Sequence, residues 1–365
     1  MPQHMILIAL LLTAACSDPA PQETPTPQTS RIQETALPPS SAAPPRDTSR
    51  PGEIVTFRDW VVGCDNGLDC IAAALAPDEM FDPGLLLSIE RRAGPFGTTR
   101  IKVSGPGDPV APLTLSVDGK QVARGGVAWD DAVVLGGPET ARMAAVLANG
   151  SRATIASGGQ SFDVSLDGAS AALRWMDDRQ GRAGTETAIV ARGPGTATIV
   201  PNPAIPVVSL PAIDGTPVDL TPDLLASMRE QGGCTAFEDE YGSPEVHALG
   251  EATSVVSLPC HRGAYNAINA IFLVDADGAR PAPFDAATAM RTDNELPALV
   301  NARFEDGVFD SDAKGRGLGD CGITQRFGWD GTRFRLLFEA EMPECRGSME
   351  RIPTFRAQVE RGTGE

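Results

Sequence analysis

Two histidines, three arginines, six cysteines and a handful of short motifs are the candidates for chemistry in this sequence. His247 and His261 could each serve a Ser-His-Asp triad assembled in space. Neither G-x-S-x-G nor H-E-x-x-H occurs, so no nucleophile elbow and no zincin helix is present. Ser311-Asp312-Ala313-Lys314 has the S-x-x-K spacing of penicillin-recognising enzymes. The S-D-N and K-T-G elements that complete that machinery are missing. Gly317-Leu318-Gly319-Asp320-Cys321-Gly322 matches G-x-G-x-x-G. A dinucleotide loop must lead into a helix, whereas here a cysteine interrupts and a strand pattern follows, which predicts a tight turn around a disulfide. Asp310-x-Asp312-x-x-Gly315 begins like a calcium loop. However, Lys314 takes a ligand place and Cys321 the twelfth, where a bidentate Glu belongs. No catalytic residue, metal or cofactor is expected from these patterns.

Arg262, Arg316 and Arg346 stand close to cysteines in CHRGAYN, KGRGLGDC and CRG. A Cys321–Cys345 bridge would bring Arg316 and Arg346 together, and two guanidiniums can grip a carboxylate or phosphate bidentately. The internal alternative is that Arg316 and Arg346 bond Asp320, Glu344 or loop carbonyls. The cysteines themselves argue for an oxidising compartment. With Cys16 set aside, Cys64, Cys70, Cys234, Cys260, Cys321 and Cys345 form an even set. Their spacing suggests three pairs in order, 64–70, 234–260 and 321–345. The first closes CDNGLDC, whose Asn66-Gly67 is a turn signal. No C-x-x-C occurs, so structural zinc is disfavoured.

Residues Met5 to Leu12, MILIALLL, have signal-peptide length. They run into Thr13-Ala14-Ala15-Cys16, which resembles the bacterial lipobox, although the leading MPQHM has no Lys or Arg. Residues 1–15 are therefore expected to be a lipoprotein signal peptide, with Cys16 the site of lipid attachment. An ordinary cleaved signal with an incidental cysteine is the alternative. Ser17 in place of Asp points to the outer membrane, facing the periplasm or the cell surface. Residues 16–52 are rich in Pro, Ser, Thr and Gln and cannot bury enough apolar surface to fold, which predicts a disordered tether.

The folded elements that carry these motifs lie beyond the tether. Of the 365 residues 42% are hydrophobic and 5% aromatic, with 38 Gly and 31 Pro, a composition of short strands and many turns. The net charge of -18 repels phosphate backbones, so nucleic-acid binding is excluded, and no apolar run is long enough to span a bilayer. A β-rich N-terminal domain is expected over 53–200, with strands at 56–62, 85–89, 98–103, 113–117, 133–135 and 162–166. Helices are expected at 138–148 and 169–178. A Pro-rich connection fills 201–220. A β-rich C-terminal domain over 221–365 opens with a helix capped by Thr221 and Pro222 and stopped by Gly232-Gly233. Its strands are expected at 255–258, 270–275, 322–329, 334–339 and 356–359, with a hairpin turn at Asp330-Gly331. The fold class is thus mainly β (α+β), with two disulfide-stapled domains and a few short helices.

FRDWVVGCDNGLDC, LPCHRGAYN and KGRGLGDCG…WDG…F…CRG, in that order, resemble the DUF1176 family of exported bacterial proteins. The first half, through FRDW…C and VSLDGASAAL, is also similar to the invasion-associated locus B family. The resemblance implies an envelope protein with β-rich domains and carries over no catalytic residue. Together with the absent catalytic motifs, it predicts a tethered, non-enzymatic envelope lipoprotein that binds an envelope protein or polymer or supports the cell surface. The lipid would be its only membrane contact. An exported hydrolase of envelope polymers, using a carboxylate pair, and a periplasmic enzyme inhibitor are the alternatives.

Overall fold

The computed structural model describes residues 47–77, 84–234 and 242–362. The signal segment, Cys16 and all but the last residues of the tether lie outside them. Residues 46–365 group as one compact unit, in which each half of the chain keeps its own core.

The first half contains β1 (Ile54–Phe57), β2 (Trp60–Cys64), β3 (Cys70–Ala74), β4 (Leu86–Arg91), β5 (Thr99–Ser104), β6 (Leu113–Val117), β7 (Lys120–Gly125), β8 (Val127–Trp129), β9 (Ala132–Leu135), α1 (Thr140–Asn149), β10 (Arg152–Ser157), β11 (Gln160–Ser165) and α2 (Ala169–Arg179). A seven-stranded antiparallel sheet runs β1-β2-β3-β4-β5-β9-β8, and a four-stranded one runs β11-β10-β6-β7. The expected strand at 56–62 is instead the β1–β2 hairpin. Arg58 takes a left-handed φ of 55° at the turn, so Phe57 pairs with Trp60. α2 buries Ala169, Ala172, Leu173 and Met176, the helical stripe that the sequence spacing predicts. Trp60 lies at the bottom of this core, fully buried, with its indole N–H donating to Ser165 O at 3.0 Å.

The second half contains β12 (Val207–Leu210), α3 (Pro222–Gly232), β13 (Glu245–Ala248), β14 (Ser254–Arg262), β15 (Ala267–Asp275), β16 (Gly278–Pro281), β17 (Met290–Arg291), β18 (Pro297–Val300), β19 (Arg303–Glu305), β20 (Val308–Lys314), β21 (Gly322–Trp329), β22 (Phe334–Met342), β23 (Ile352–Arg356) and β24 (Gln358–Arg361). One sheet has the order β13-β14-β15-β18-β17 with β16 also on β15, and the other is β19-β20-β21-β22-β23. Between them lies an aromatic core in which Phe334 meets Phe309 and Trp329, each at 5.2 Å between ring centroids. α3 starts at Thr221, whose hydroxyl accepts from Leu224 N at 3.3 Å, and stops at Gly233, φ 66°. The expected strand at 356–359 is broken at Ala357. Arg356 closes β23 against β22, whereas Gln358 opens β24, which pairs in parallel with β12. The 201–220 connection thus contributes a strand of its own.

The three disulfides are Cys64–Cys70, Cys234–Cys260 and Cys321–Cys345.

The halves meet across β2. All five residues of WVVGC are buried, because the strand is covered on both faces. Trp60, Val62 and Cys64 face the first core. Val61, with Ala73 and Leu75, forms a second apolar cluster with Met342, Ile352 and Cys321 of the other half. A Cβ on Gly63 would lie 2.8 Å from Ile54 Cγ1 and 2.9 Å from Ile352 Cγ2, so only glycine lets the halves come this close.

Candidate functional site

The second half covers the β1–β3 end of the seven-stranded sheet's outer face and reaches β4 and β5 through Glu350, which bonds Ser88 and Lys102. The rest of that face is open, and two cavities line up along it with Glu90 common to both. The inner cavity, about 240 Å³, lies between the Cys64–Cys70 loop, β4 and the second half's Phe338, Pro353 and Arg356. The outer one, about 340 Å³, lies over β5, β8 and β9.

The inner cavity is built on two aspartates of the tight disulfide loop. Asp65 is 3% exposed. Its Oδ1 accepts from Asp69 N at 2.9 Å, and its Oδ2 pairs with Arg356 Nε at 2.5 Å. Burial pushes the Asp65 carboxyl up to about 6, against the pull of Arg356. Asp69 accepts from Ala93 N at 2.7 Å on Oδ1, and its Oδ2 pairs with Arg92 at 2.5 Å and Arg356 at 2.8 Å. Every one of the four carboxylate oxygens therefore has a hydrogen-bond donor or an arginine ion-pair partner, three of them from outside the loop. The Asn66 side chain completes the clamp. Its amide donates to Arg356 O at 3.0 Å, while its Oδ1 accepts from Arg356 N at 2.9 Å. Sequence reasoning took Asn66-Gly67 for a turn and missed this role, because the partner lies 290 residues away.

Glu350 of the second half, 8% exposed, lies against β4 and β5. It accepts from Ser88 Oγ at 3.0 Å and pairs with Lys102 Nζ at 3.2 Å. Burial, and then the Glu350 charge, raise the Glu90 carboxyl above its ordinary value, while Lys102 and Arg100 oppose the rise. Beneath β4, Arg91 is 6% exposed, and burial followed by the neighbouring Arg182 draws its guanidinium down to about 10. The outer cavity is different in kind. Its rim carries Trp129 and Val127, 69% and 70% exposed, beside Arg100, Asp130 and Asp131.

Of the two readings of Arg316 and Arg346, an anion grip shared with Arg262 or bonds to internal acceptors, the structure has the internal one. The Cys321–Cys345 bridge forms, but its arginines already have internal acceptors. Arg316 chelates Asp320 at 2.7 Å and 2.5 Å, and Gly347 N donates to the same carboxylate at 2.6 Å. Burial opposes ionisation of Asp320, yet these donors together hold its carboxyl below its ordinary value. Arg346 donates to Ala76 O, Arg58 O and Asp59 Oδ1, tying the second half to the first. Arg262 closes β14 as an exposed residue.

The other motifs resolve as strand and turn. Asp310, Ser311, Asp312 and Lys314 lie on the extended β20. Ser311 is buried, accepts from Val300 N and donates to Val300 O. Asp310 pairs with Arg326 at 2.7 Å, and Asp312 accepts from Thr324 Oγ1. The Gly317–Gly322 segment turns into β21, and a Cβ on Gly315 would meet Cys321 Sγ at 2.7 Å. His247 packs on Phe304 with ring centroids 4.8 Å apart, His261 lies on β14, and neither lines the two cavities. Among the described residues no cluster of His, Cys, Asp or Glu is arranged to hold a metal ion, and no helix is long and apolar enough to cross a membrane.

Comparison with known proteins places the chain. It is 32% identical over 315 residues to the uncharacterized protein YpfG of Escherichia coli (strain K12), covering 79% of this chain and 88% of that protein. A solved structure, the invasion associated protein B from Bartonella henselae, aligns over 35% of this chain and 99% of its own at 19% identity, with a TM-score of 0.29, too low to carry an argument. The model of a family described as proteins of unknown function, DUF1176, matches residues 55–355, and the chain belongs to that family.

Proposed function

We propose that this protein is an exported envelope lipoprotein, acylated at Cys16 and tethered by residues 16–52, whose folded part binds another envelope component in the groove along the open sheet face. The observation that carries the binding reading is the contrast between the two cavities. In the inner one every oxygen of the Asp65–Asp69 pair already has a hydrogen-bond donor or an arginine ion-pair partner. In the outer one a tryptophan and a valine on the edge strand β8 are left in water. Large apolar side chains kept exposed beside a cavity are what a binding face needs.

The hydrolase reading has one observation in its favour, the raised Asp65 carboxyl beside Asp69. A general acid must reach the substrate, and Asp65, 3% exposed and ion-paired to Arg356, is closed off from it. The pair instead acts as a clasp that fixes the disulfide loop to β23.

A photoreactive residue at Val127 of the full chain, expressed in intact cells, tests the proposal. Capture of a defined envelope component supports it. Failure to capture one overturns it, and degradation of an envelope polymer by the purified protein that Asp65→Asn abolishes puts the enzyme in its place. Release of a Cys16→Ser variant from the membrane fraction supports the lipid anchor, and retention there refutes it.

A further inference from the structure

Among the described residues the three most exposed large hydrophobic side chains are Phe96 at 83%, Val127 at 70% and Trp129 at 69%. They belong to separate segments, the β4–β5 turn and strand β8, yet all three line two adjoining cavities. Val127 and Trp129 line the one of about 340 Å³, and Phe96 lines one of about 600 Å³. Arg100 and Gly136 are common to both. In a chain with 5% aromatic residues, two exposed rings flanking one arginine form a patch rather than scatter.

The register shows how the patch is laid out. Val127 pairs with Val134 and Trp129 with Ala132. Val134 in turn pairs with Lys102, and Arg100 with Glu90. Residues two apart on a strand share a face, so Val127 and Trp129 present one apolar strip, continued inward by Val134 and then by Lys102. Asp130, φ 50°, and Asp131 turn the chain from β8 into β9 and bring two carboxylates to the rim. The rim therefore offers donors from Arg100 and Lys102 and acceptors from Glu90, Asp130 and Asp131 around flat apolar platforms.

That combination selects among occupants. A lipid or a wholly apolar peptide would bury charges of both signs without partners, at high cost. A polyanion meets the rim carboxylates and a net charge of -18. An added peptide strand would have only the three residues of β8 to pair with. A pyranose ring fits each demand. Its C–H face packs on an indole or phenyl ring, and its equatorial hydroxyls both donate to carboxylates and accept from guanidinium or ammonium groups. Two platforms on either side of Arg100 suit a chain of such rings.

We infer that the Trp129–Val127 platform and Phe96 form a binding site for a glycan, a linear polymer of pyranose rings of the cell envelope. This inference rests on the reading of the groove as a binding site and names its ligand class.

The test is co-sedimentation of the full-length protein with purified peptidoglycan sacculi, followed by titration of tryptophan fluorescence with a β-1,4-linked N-acetylglucosamine tetramer. Binding is expected to both probes, with a blue shift from Trp129. Trp129→Ala should weaken it at least tenfold and Phe96→Ala severalfold, and Trp129→Phe should restore most of it. Both side chains are largely in solvent, so unchanged thermal melts will show that the variants fold. Absence of binding to both probes, or binding indifferent to Trp129→Ala and Phe96→Ala, overturns the inference. If the Val127 cross-linker meanwhile captures a protein, the groove is a binding site and only the glycan assignment fails. If it captures nothing, the binding reading fails with it.

Discussion

Replacing Asp65 by Asn should remove one pH-dependent component of stability. The Asp65 carboxyl titrates near 3.8 when unfolded and about 6 in the fold. At about 1.4 kcal/mol for each tenfold change in proton affinity, ionising it in the folded state costs about 3 kcal/mol more than in the unfolded chain. The sign follows from the direction. Between pH 4 and 6 the folded protein holds a proton that the unfolded chain has lost, so stability falls as pH rises through that window. Above pH 6 it stays flat, because Asp65 is ionised in both states. The substituted amide would still accept from Asp69 N through its side-chain oxygen but would not titrate. Urea denaturation of both proteins at several pH values from 4 to 8, with disulfides intact, gives the difference curve, in which groups common to both cancel. The expected curve shifts by about 3 kcal/mol in favour of the variant between pH 4 and 6.5 and is level beyond. A level difference over the whole range would refute the argument, as would one of opposite slope.

Asp320→Asn should act the other way. Despite its burial, the Asp320 carboxyl is held below its ordinary value by Arg316 and Gly347 N, so the variant should lose about 2 kcal/mol at pH 7. The loss should fade as pH falls below the ordinary carboxylate value, which the same denaturation series reads. Gly63→Ala places a methyl against Ile54 and Ile352 and should cost about 1–3 kcal/mol. Limited proteolysis should then cut the 201–220 connection faster than in the parent. Thr221→Ala should cost about 1 kcal/mol through loss of the α3 cap, measured as a drop in the urea midpoint.

Short-range patterns in the chain were enough for the class, the disulfides, the helices and a part of the strands, while β3, β7, β8, β10 and β20 fell outside every expected strand. Strand and helix patterns repeat over five to ten residues, so α2's stripe, the Thr221 cap and the Asp330-Gly331 hairpin were legible from side-chain period and turn chemistry. Cysteine spacing sufficed for pairs 6, 26 and 24 residues apart. Motifs distributed from residue 57 to 347 carried the family. The partners of charged residues and the face left uncovered came only from the three-dimensional packing. Arg346 sits beside a cysteine at a spacing that suggested an anion grip, yet its acceptors are Ala76, Arg58 and Asp59, about 270–290 residues earlier. Arg356 carries no local signal, yet it clasps Asp65 and Asp69. Trp129 lies outside every expected strand, and its exposure follows from β8 being the last strand of its sheet. One cause is common to all three. Backbone propensity and side-chain period act between near neighbours, whereas ion pairing and burial depend on distances through space, which the packing of distant strands sets.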